Sequence, residues 1–480
     1  MTPARFSAII IDDVPDSAEL EFLARYASAG GALLDAGYYL RTIQPEKTAR
    51  RRIHWVTPSA GDDVFGHIGL TDIHAPGWVH RDANHLGGTI YLGDHGGGPV
   101  AGLAFDPGAL LRDARSVRAQ FHARTRTCPN EIVARVSKGE LHGIVEAALR
   151  WLHARRELPY VHRWRFPGHL PAIFSYRIDS DYGTREQIES LYSVAREHDI
   201  RMTWFLHTQA HEGWLNVFAA MQDQEMALHG FRHRTFRSYE ENRANIAEAA
   251  ALLEREGIPF TGFAAPNGFW NINLARAIAD AGLTYSSEFS LAYDDLPFHP
   301  VLHGDFSPAL QVPIHPVCIG SMMRVKMHPN MMKEYFRGVI ERKFRLREPI
   351  ILYHHPGHEH WDVMADSLRR IHELGIRNIT MGEYAAWWLR RESVRFEAWS
   401  DDDGIEIRFR NMQDDVELAV RDARGRYGFI REDGTQKFQD MIWSDSPEPM
   451  PAPSDIGTIR RWSPVLLRHS IEDLTSRARQ

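Results

Sequence analysis

The sequence predicts an α/β protein: a distorted (β/α) barrel in mid-chain, an N-terminal α/β domain and a small β-rich C-terminal region. Three observations carry this. Between Leu158 and Arg391, short apolar runs alternate regularly with amphipathic stretches of about a dozen residues, the pattern of parallel strands joined by crossover helices. Between Phe6 and Arg150 similar segments alternate less regularly, separated by glycine-rich turns. After Ser393, apolar and polar residues alternate singly, as antiparallel strands require. A chain of 480 residues also exceeds what one core usually organises. We therefore expect domains at 1–155, 158–391 and 393–480.

In the first region, SAIII (7–11) reads as a buried strand. SAELEFLARYASAGGALL (17–34) reads as a helix stopped at Gly30–Gly31 and followed by a strand. GGTIYLG and PVAGLAF read as strands, and GELHGIVEAALRWLHARR as an amphipathic helix. In the middle region the expected strands are AIFSYRID, MTWFLH, EMALHG, FTGFAAP, LTYSS, PIILYHHP and RNIT. The expected helices are REQIESLYSVAREHD, YEENRANIAEAAALLEREG, LARAIADAG and SLRRIHELG. In the last region VRFEAWS, GIEIRFR and VELAVRDA read as antiparallel strands around the turn Asp401–Gly404. SDSPEPMPAPSD reads as an extended linker or strap, and SIEDLTSRARQ as a helical tail.

Composition removes several classes of function. Apolar residues at 43% and charged residues at 25% exclude a disordered, collagen-like or coiled-coil chain. Fifty-six basic against 63 acidic residues give −7, with no electrostatic footprint for nucleic acid or an anionic membrane. Two cysteines build neither a disulfide framework nor a thiolate zinc cluster. No apolar run approaches ~18 residues, so no membrane span is expected. Asp12, Asp13 and Asp16 follow the first apolar run at once, unlike a signal peptide, and a cytoplasmic protein is the expectation.

The residues that carry chemistry fall at strand ends of the middle region, where barrels of this class keep their active sites. RIDSD supplies Asp179 and Asp181; HGFRH supplies His229 and His233; LYHHPGH supplies His354, His355 and His358. Imidazoles four residues apart share one face if a helical turn begins there, and so grip one ion. One carboxylate and two imidazoles leave a coordination position for water, the arrangement of a catalytic rather than a structural site. Singly, each motif is common on ordinary folds as a cap, a turn or a solvated helix face. Three of them at successive strand ends are not.

The series RIDSD, RMTWFL, EMALHGFRH, GFAAPNGFW and ILYHHP resembles the polysaccharide deacetylase family, whose catalytic unit is the NodB homology domain (carbohydrate esterase family 4-like). The resemblance covers residues 158–391. It implies a NodB-type barrel and a divalent metal, zinc first and cobalt, nickel or manganese as alternatives, held by Asp181, His229 and His233. It further implies Asp179 as the general base and His355, or its neighbour His354, as the acid that protonates the leaving amine. A backbone N–H near Asn267 would help bind the oxyanion, Trp270 would contact substrate, and Tyr353 would wall the pocket for the acyl methyl. Trp204 and Phe231 are expected in the core, while Tyr182 and Phe269 are further aromatic candidates for a sugar platform.

Two positions depart from the family. Its third-motif arginine is replaced by Ala264, with Arg177 as the candidate substitute. Its fourth motif has only Glu288 nearby. Upstream, LARYASAGGALLDAG is similar to the approach to the nucleophile elbow of class I glutamine amidotransferases. The elbow position near Ala36 lacks the required cysteine, which implies a binding or interface module. His67, His74, His80 and His85 match no metal spacing, and Arg50, Arg51 and Arg52 read as a solvated loop.

The implied activity is metal-dependent hydrolysis of an N-acyl group, acetyl or formyl, from an amino sugar in a glycan or its precursor. The alternatives are an allantoinase-like cyclic amide hydrolase and a catalytically weak carbohydrate-binding or scaffold protein.

Overall fold

Parallel strands need crossover helices, and in the computed structural model the chain supplies them in two places. All residues are described except 1, 4, 60, 126–127, 359, 446–449, 460 and 478–480, and the side chains of 475–477. One unit comprises Met1–Asp113, Val136–His169 and Leu389–Gly457; the other comprises Ala114–Arg135, Leu170–Trp388 and Thr458–Gln480. The C-terminal region is thus shared between the two.

The first unit centres on a four-stranded sheet of β1 (Ala8–Ile11), β2 (Ala32–Asp35), β3 (Ile90–His95) and β4 (Gly98–Leu103) in the order β1-β2-β4-β3. The pairs β1–β2 and β2–β4 are parallel, whereas β3 is antiparallel to β4. The helix α1 (Ser17–Ser28) opens on an Asp16/Glu19 capping box, and α2 (Lys138–Arg155) buries Leu141, Ile144, Ala148 and Leu152. β2 is buried throughout, but β1 is an edge strand with Ile10 exposed, so its apolar run is only half covered. Arg50, Arg51 and Arg52 are exposed as expected, yet on a strand (Thr48–Val56) rather than a loop. The strands Phe396–Ser400 and Gly404–Phe409 form the expected hairpin. Leu418–Arg421 pairs instead with Tyr160–Arg163 and Tyr427–Ile430, a non-local pairing that local alternation does not encode. The proline-rich segment lies partly outside the described residues; within its described part, Ala452 N–H donates to the Gly66 carbonyl at 2.9 Å.

The second unit holds a parallel sheet of eight strands: β5 (Ile173–Asp179), β6 (Thr203–Leu206), β7 (Glu225–Leu228), β8 (Gly262–Phe263), β9 (Tyr285–Ser286), β10 (Leu310–Gln311), β11 (Ile350–His354) and β12 (Arg377–Asn378). Its order is β10-β9-β8-β7-β6-β5-β11, with β12 beside the start of β5. The crossovers include α3 (Arg185–Glu197), α4 (Tyr239–Arg255), α5 (Ile272–Asp280), α6 (Ile319–Arg324), α7 (Pro329–Leu346) and α8 (Trp361–Glu373). α7 is absent from the sequence reading, and α8 begins six residues before SLRRIHELG. The expected barrel is a curled half-barrel. No ladder joins β10 to β11 among the described residues. A single backbone bond, from His315 N–H to the Ile351 carbonyl at 2.8 Å, crosses the gap.

The side-chain period of β5 positions everything that follows. Phe174, Tyr176 and Ile178 enter the hydrophobic cluster with Ile188 and Leu191 of α3. Ser175, Arg177 and Asp179, equally buried, must face the other side of the strand. No helix among the described residues is long and apolar enough to cross a membrane.

Candidate metal centre

Asp179 is the last residue of β5, and the chain turns sharply two residues later, where Asp181 adopts a left-handed conformation (φ 43°). Such backbone is tolerated by aspartate better than by most side chains and is typically retained at functional sites. His229 follows β7 directly. The expected helical turn does not form between His229 and His233. Instead Gly230 (φ 85°) redirects the chain, and a Cβ there would meet the Asn245 amide at 2.6 Å. Asn245 in turn accepts from Arg232 N–H at 2.7 Å and holds the loop. The two imidazoles still converge, with centroids 5.2 Å apart.

Asp181 Oδ1 lies 2.9 Å from His233 Nε2 and 3.2 Å from His229 Nε2. His229 Nδ1 donates to the Ala264 carbonyl at 2.7 Å, which leaves the lone pair on Nε2. That buried Nε2 has no hydrogen-bond partner, although a carboxylate oxygen stands beside it. A lone pair facing an anion needs either a second proton or a cation between them. One divalent ion would satisfy all three donors, whose ligand atoms lie within 4.8 Å of one another. Burial works against the charge of Asp181, but His355, His229 and His233 outweigh it and hold the carboxyl well below its ordinary range.

Arg177 answers the question posed by Ala264. Residues two apart on a strand share a face, and the Arg177 guanidinium grips Asp179 bidentately, Nε to Oδ1 and a terminal nitrogen to Oδ2, both at 2.6 Å. Its other terminal nitrogen donates to the Ser287 carbonyl (2.5 Å) and hydroxyl (3.1 Å). Burial alone would raise Asp179, yet the guanidinium overrides it and keeps the carboxylate ionised. Arg177 also lies over the rings of Phe205 and Tyr353.

Of the two adjacent histidines, His355 faces the site. Its Nε2 is 3.6 Å from Asp181 Oδ2 and 3.9 Å from Asp179 Oδ2. Burial disfavours its charge, but Asp181, the Cys318 thiol and Asp179 lift it to about 10. His354, one residue earlier on β11, is fully buried and held neutral by burial and by His358 and His355. Tyr353 is buried beside His355, with ring centroids 5.4 Å apart.

Asp179, Asp181, His229, His233, His355 and Tyr353 therefore come together. Among the described residues, no hydrogen bond or ring contact joins Asn267 or Trp270 to them. Asn267 is exposed in a left-handed turn (φ 57°), and the Trp270 backbone N–H donates to Ser290 Oγ at 2.8 Å. Trp204 is in the core and Phe231 packs partly buried against it. Tyr182 is exposed, edge-on to His207 and His233.

Two participants, His207 and Cys318, escaped the sequence reading, and a third, Glu288, was noted there only as the residue nearest the fourth motif. His207, at the end of β6, has its Nδ1 2.9 Å from the Asp181 carbonyl and its ring 5.4 Å from His233. Its strand-end position in RMTWFLH was the available signal. Glu288 is fully buried, accepts from Ala265 N–H at 3.1 Å and, through burial, is pushed up to about 7. With its amide turned to suit its neighbours, Gln311 donates to Glu288 at 3.0 Å. Finally, Cys318 stands beside His355 and His358, all three ligand atoms within 4.8 Å of one another. Two cysteines build no thiolate cluster, but one cysteine among histidines escapes that arithmetic.

Residues 178–286 match the polysaccharide deacetylase family and form a domain of that kind, so the chain is a hydrolase acting on carbon–nitrogen bonds. Comparison with curated protein sequences gives no match. Among solved structures, a protein of Mycobacterium smegmatis assigned as a polysaccharide deacetylase is 16% identical, with a TM-score of 0.41, covering 47% of this chain and 93% of its own. A CE4 family pseudoenzyme from Bacillus anthracis is 15% identical, with a TM-score of 0.34 over 46% and 68%. A family 4 carbohydrate esterase from Streptomyces lividans, solved with acetate, is 15% identical, with a TM-score of 0.32 over 44% and 92%.

Proposed function

We propose that the protein removes an N-acyl group, acetyl or formyl, from an amino sugar of a glycan or glycan precursor, using a divalent metal ion held by Asp181, His229 and His233. One observation carries this reading. A carboxylate kept ionised by a buried guanidinium stands beside a carboxylate–imidazole trio with an unpartnered lone pair, and one histidine reaches both carboxylates.

When bound, the ion supplies Lewis acidity to the acyl carbonyl and acidifies a water; zinc suits this oxygen–nitrogen donor set. The remaining work belongs to the chain. Asp179 accepts the proton of the attacking water, and Arg177 holds its carboxylate in one orientation so that little reorganisation is needed. His355 donates to the amine as it leaves. With Asp181 neutralised by a held cation, His355 would lose the largest of the charges that raise its proton affinity. Tyr353, against His355, lines the acyl side, while Trp270 and the turn at Asn267 serve the sugar or the oxyanion from outside the metal cluster. The flanking regions, 1–155 and 393–480, act in this reading as accessory modules. Ala36, just past β2, gives the first of them no nucleophile for glutamine hydrolysis.

The test is acetate or formate release from a panel of N-acylated amino sugars, with and without chelator, alongside elemental analysis. Asp179→Asn should retain metal while turnover falls by ~10²–10⁴-fold. Undiminished turnover would remove the base assignment. Ring opening of a cyclic amide without acid release would replace the substrate class.

A further inference from the structure

We propose that Cys318, His355 and His358 form a second cation site, selective for a soft or borderline divalent ion such as zinc, whose occupancy switches the hydrolase off. The site is independent of the trio around Asp181, but it shares His355 with the catalytic machinery.

The geometry is that of a built cluster. Cys318 is buried immediately before α6, and His358 reaches it from the turn after β11, where His358 N–H donates to the His355 carbonyl at 3.0 Å. The two imidazoles lie 4.6 Å apart, edge to face. Their Nδ1 atoms are both buried and lack hydrogen-bond partners. Gly320 makes room for this arrangement, since a Cβ there would fall 2.2 Å from the His358 ring; any other residue would displace the imidazole. The three ligand atoms lie within 4.8 Å of one another. Tetrahedral zinc with one thiolate and two imidazoles sets them about 3.5 Å apart, so at most on the order of 1 Å of closure completes the site.

The donor set selects the ion. One thiolate and two imidazoles favour zinc or copper over magnesium, calcium or manganese, in contrast to the carboxylate-containing trio around Asp181. Binding deprotonates the thiol, and that proton passes to solvent while the sulfur lone pair forms the metal bond. Three protein ligands leave a fourth position for water.

The regulatory consequence, though not the site itself, rests on His355 being the acid of the reaction proposed above. An imidazole that has given one lone pair to a cation cannot take up the second proton that would make it imidazolium. It therefore ceases to protonate the leaving amine. The first equivalent of zinc activates and the second inhibits.

Cobalt(II) and zinc(II) are the probes, used on the full chain. Wild type should bind two equivalents by elemental analysis after equilibrium dialysis, and its cobalt form should show thiolate-to-cobalt charge-transfer absorption. Cys318→Ser and His358→Gln should each bind one equivalent and lose the inhibition by excess zinc; the half-buried His358 guards against a folding defect at Cys318. Asp181→Asn should keep the thiolate absorption while losing the other equivalent. Absence of thiolate absorption at saturating cobalt, or an unchanged stoichiometry in Cys318→Ser, would overturn the site. Thiolate absorption in a protein that hydrolyses no acylated amino sugar would uphold the site and refute the function proposed above.

Discussion

Two strand-end aspartates, one in each unit, began from the same position in a parallel sheet and met different fates. Asp35 ends β2 and Asp179 ends β5, both buried. The Asp35 carboxylate is consumed by its own chain: it accepts the backbone N–H groups of Tyr38 and Tyr39 on Oδ1 and of Leu40 on Oδ2, at 2.7–2.8 Å. Burial nevertheless raises it, because partial backbone charges compensate only part of the desolvation. Asp179 meets a full guanidinium charge and is lowered. The first arrangement caps a turn and has no capacity left for a substrate. The second holds an ionised carboxylate whose partner is a side chain, next to histidines and a second carboxylate. What separates a structural from a chemical aspartate is the identity of the group that satisfies it.

The comparison can be broken most sharply at Arg177. Arg177→Ala leaves Asp179 buried without its counter-charge, and denaturant melts should show a loss of about 3–5 kcal/mol together with loss of turnover. A variant of unchanged stability would mean that the pair is not the compensating interaction. Glu288 offers a third case, a buried carboxyl near the end of β9 served mainly by neutral donors and only distantly by Arg177. As pH rises from about 4.5 to about 7, the native state keeps a proton that the unfolded chain has lost, so stability must fall across that window. Glu288→Gln should flatten the fall and gain up to about 3 kcal/mol at pH 8, with little gain at pH 4. Parallel stability–pH curves for the two proteins would contradict this. The smallest effect is expected at Asp35. Asp35→Asn turns one acceptor into a donor facing a backbone N–H and should cost about 1–3 kcal/mol, with hydrolysis unchanged. A loss of turnover matching that of Asp179→Asn would erase the distinction drawn between the two.

The order of strand-end motifs was legible because it is local. An apolar run, a polar strand end and a helix of the next dozen or so residues recur in chain sequence, and their placement in a parallel sheet follows from handed crossovers. Arg177 was legible as a candidate substitute two residues before Asp179, but that its guanidinium grips that carboxylate is a finding of the structure. The convergence of His229 and His233 was foreseen for the wrong reason. Their spacing suggests a helical turn, whereas Gly230 and Asn245 bring the rings together through a loop.

By itself, then, the sequence determined the strand–helix alternation, the chemical character of each strand end and the face on which each side chain of β5 stands, because these depend on backbone periodicity within a few residues. Only the tertiary structure decided that the sheet stays open between β10 and β11, that Leu418–Arg421 pairs with Tyr160–Arg163, and that Cys318 stands beside His355 and His358. Those contacts join segments far apart in the chain. Which distant groups meet is set by how whole layers pack, and no local period records it.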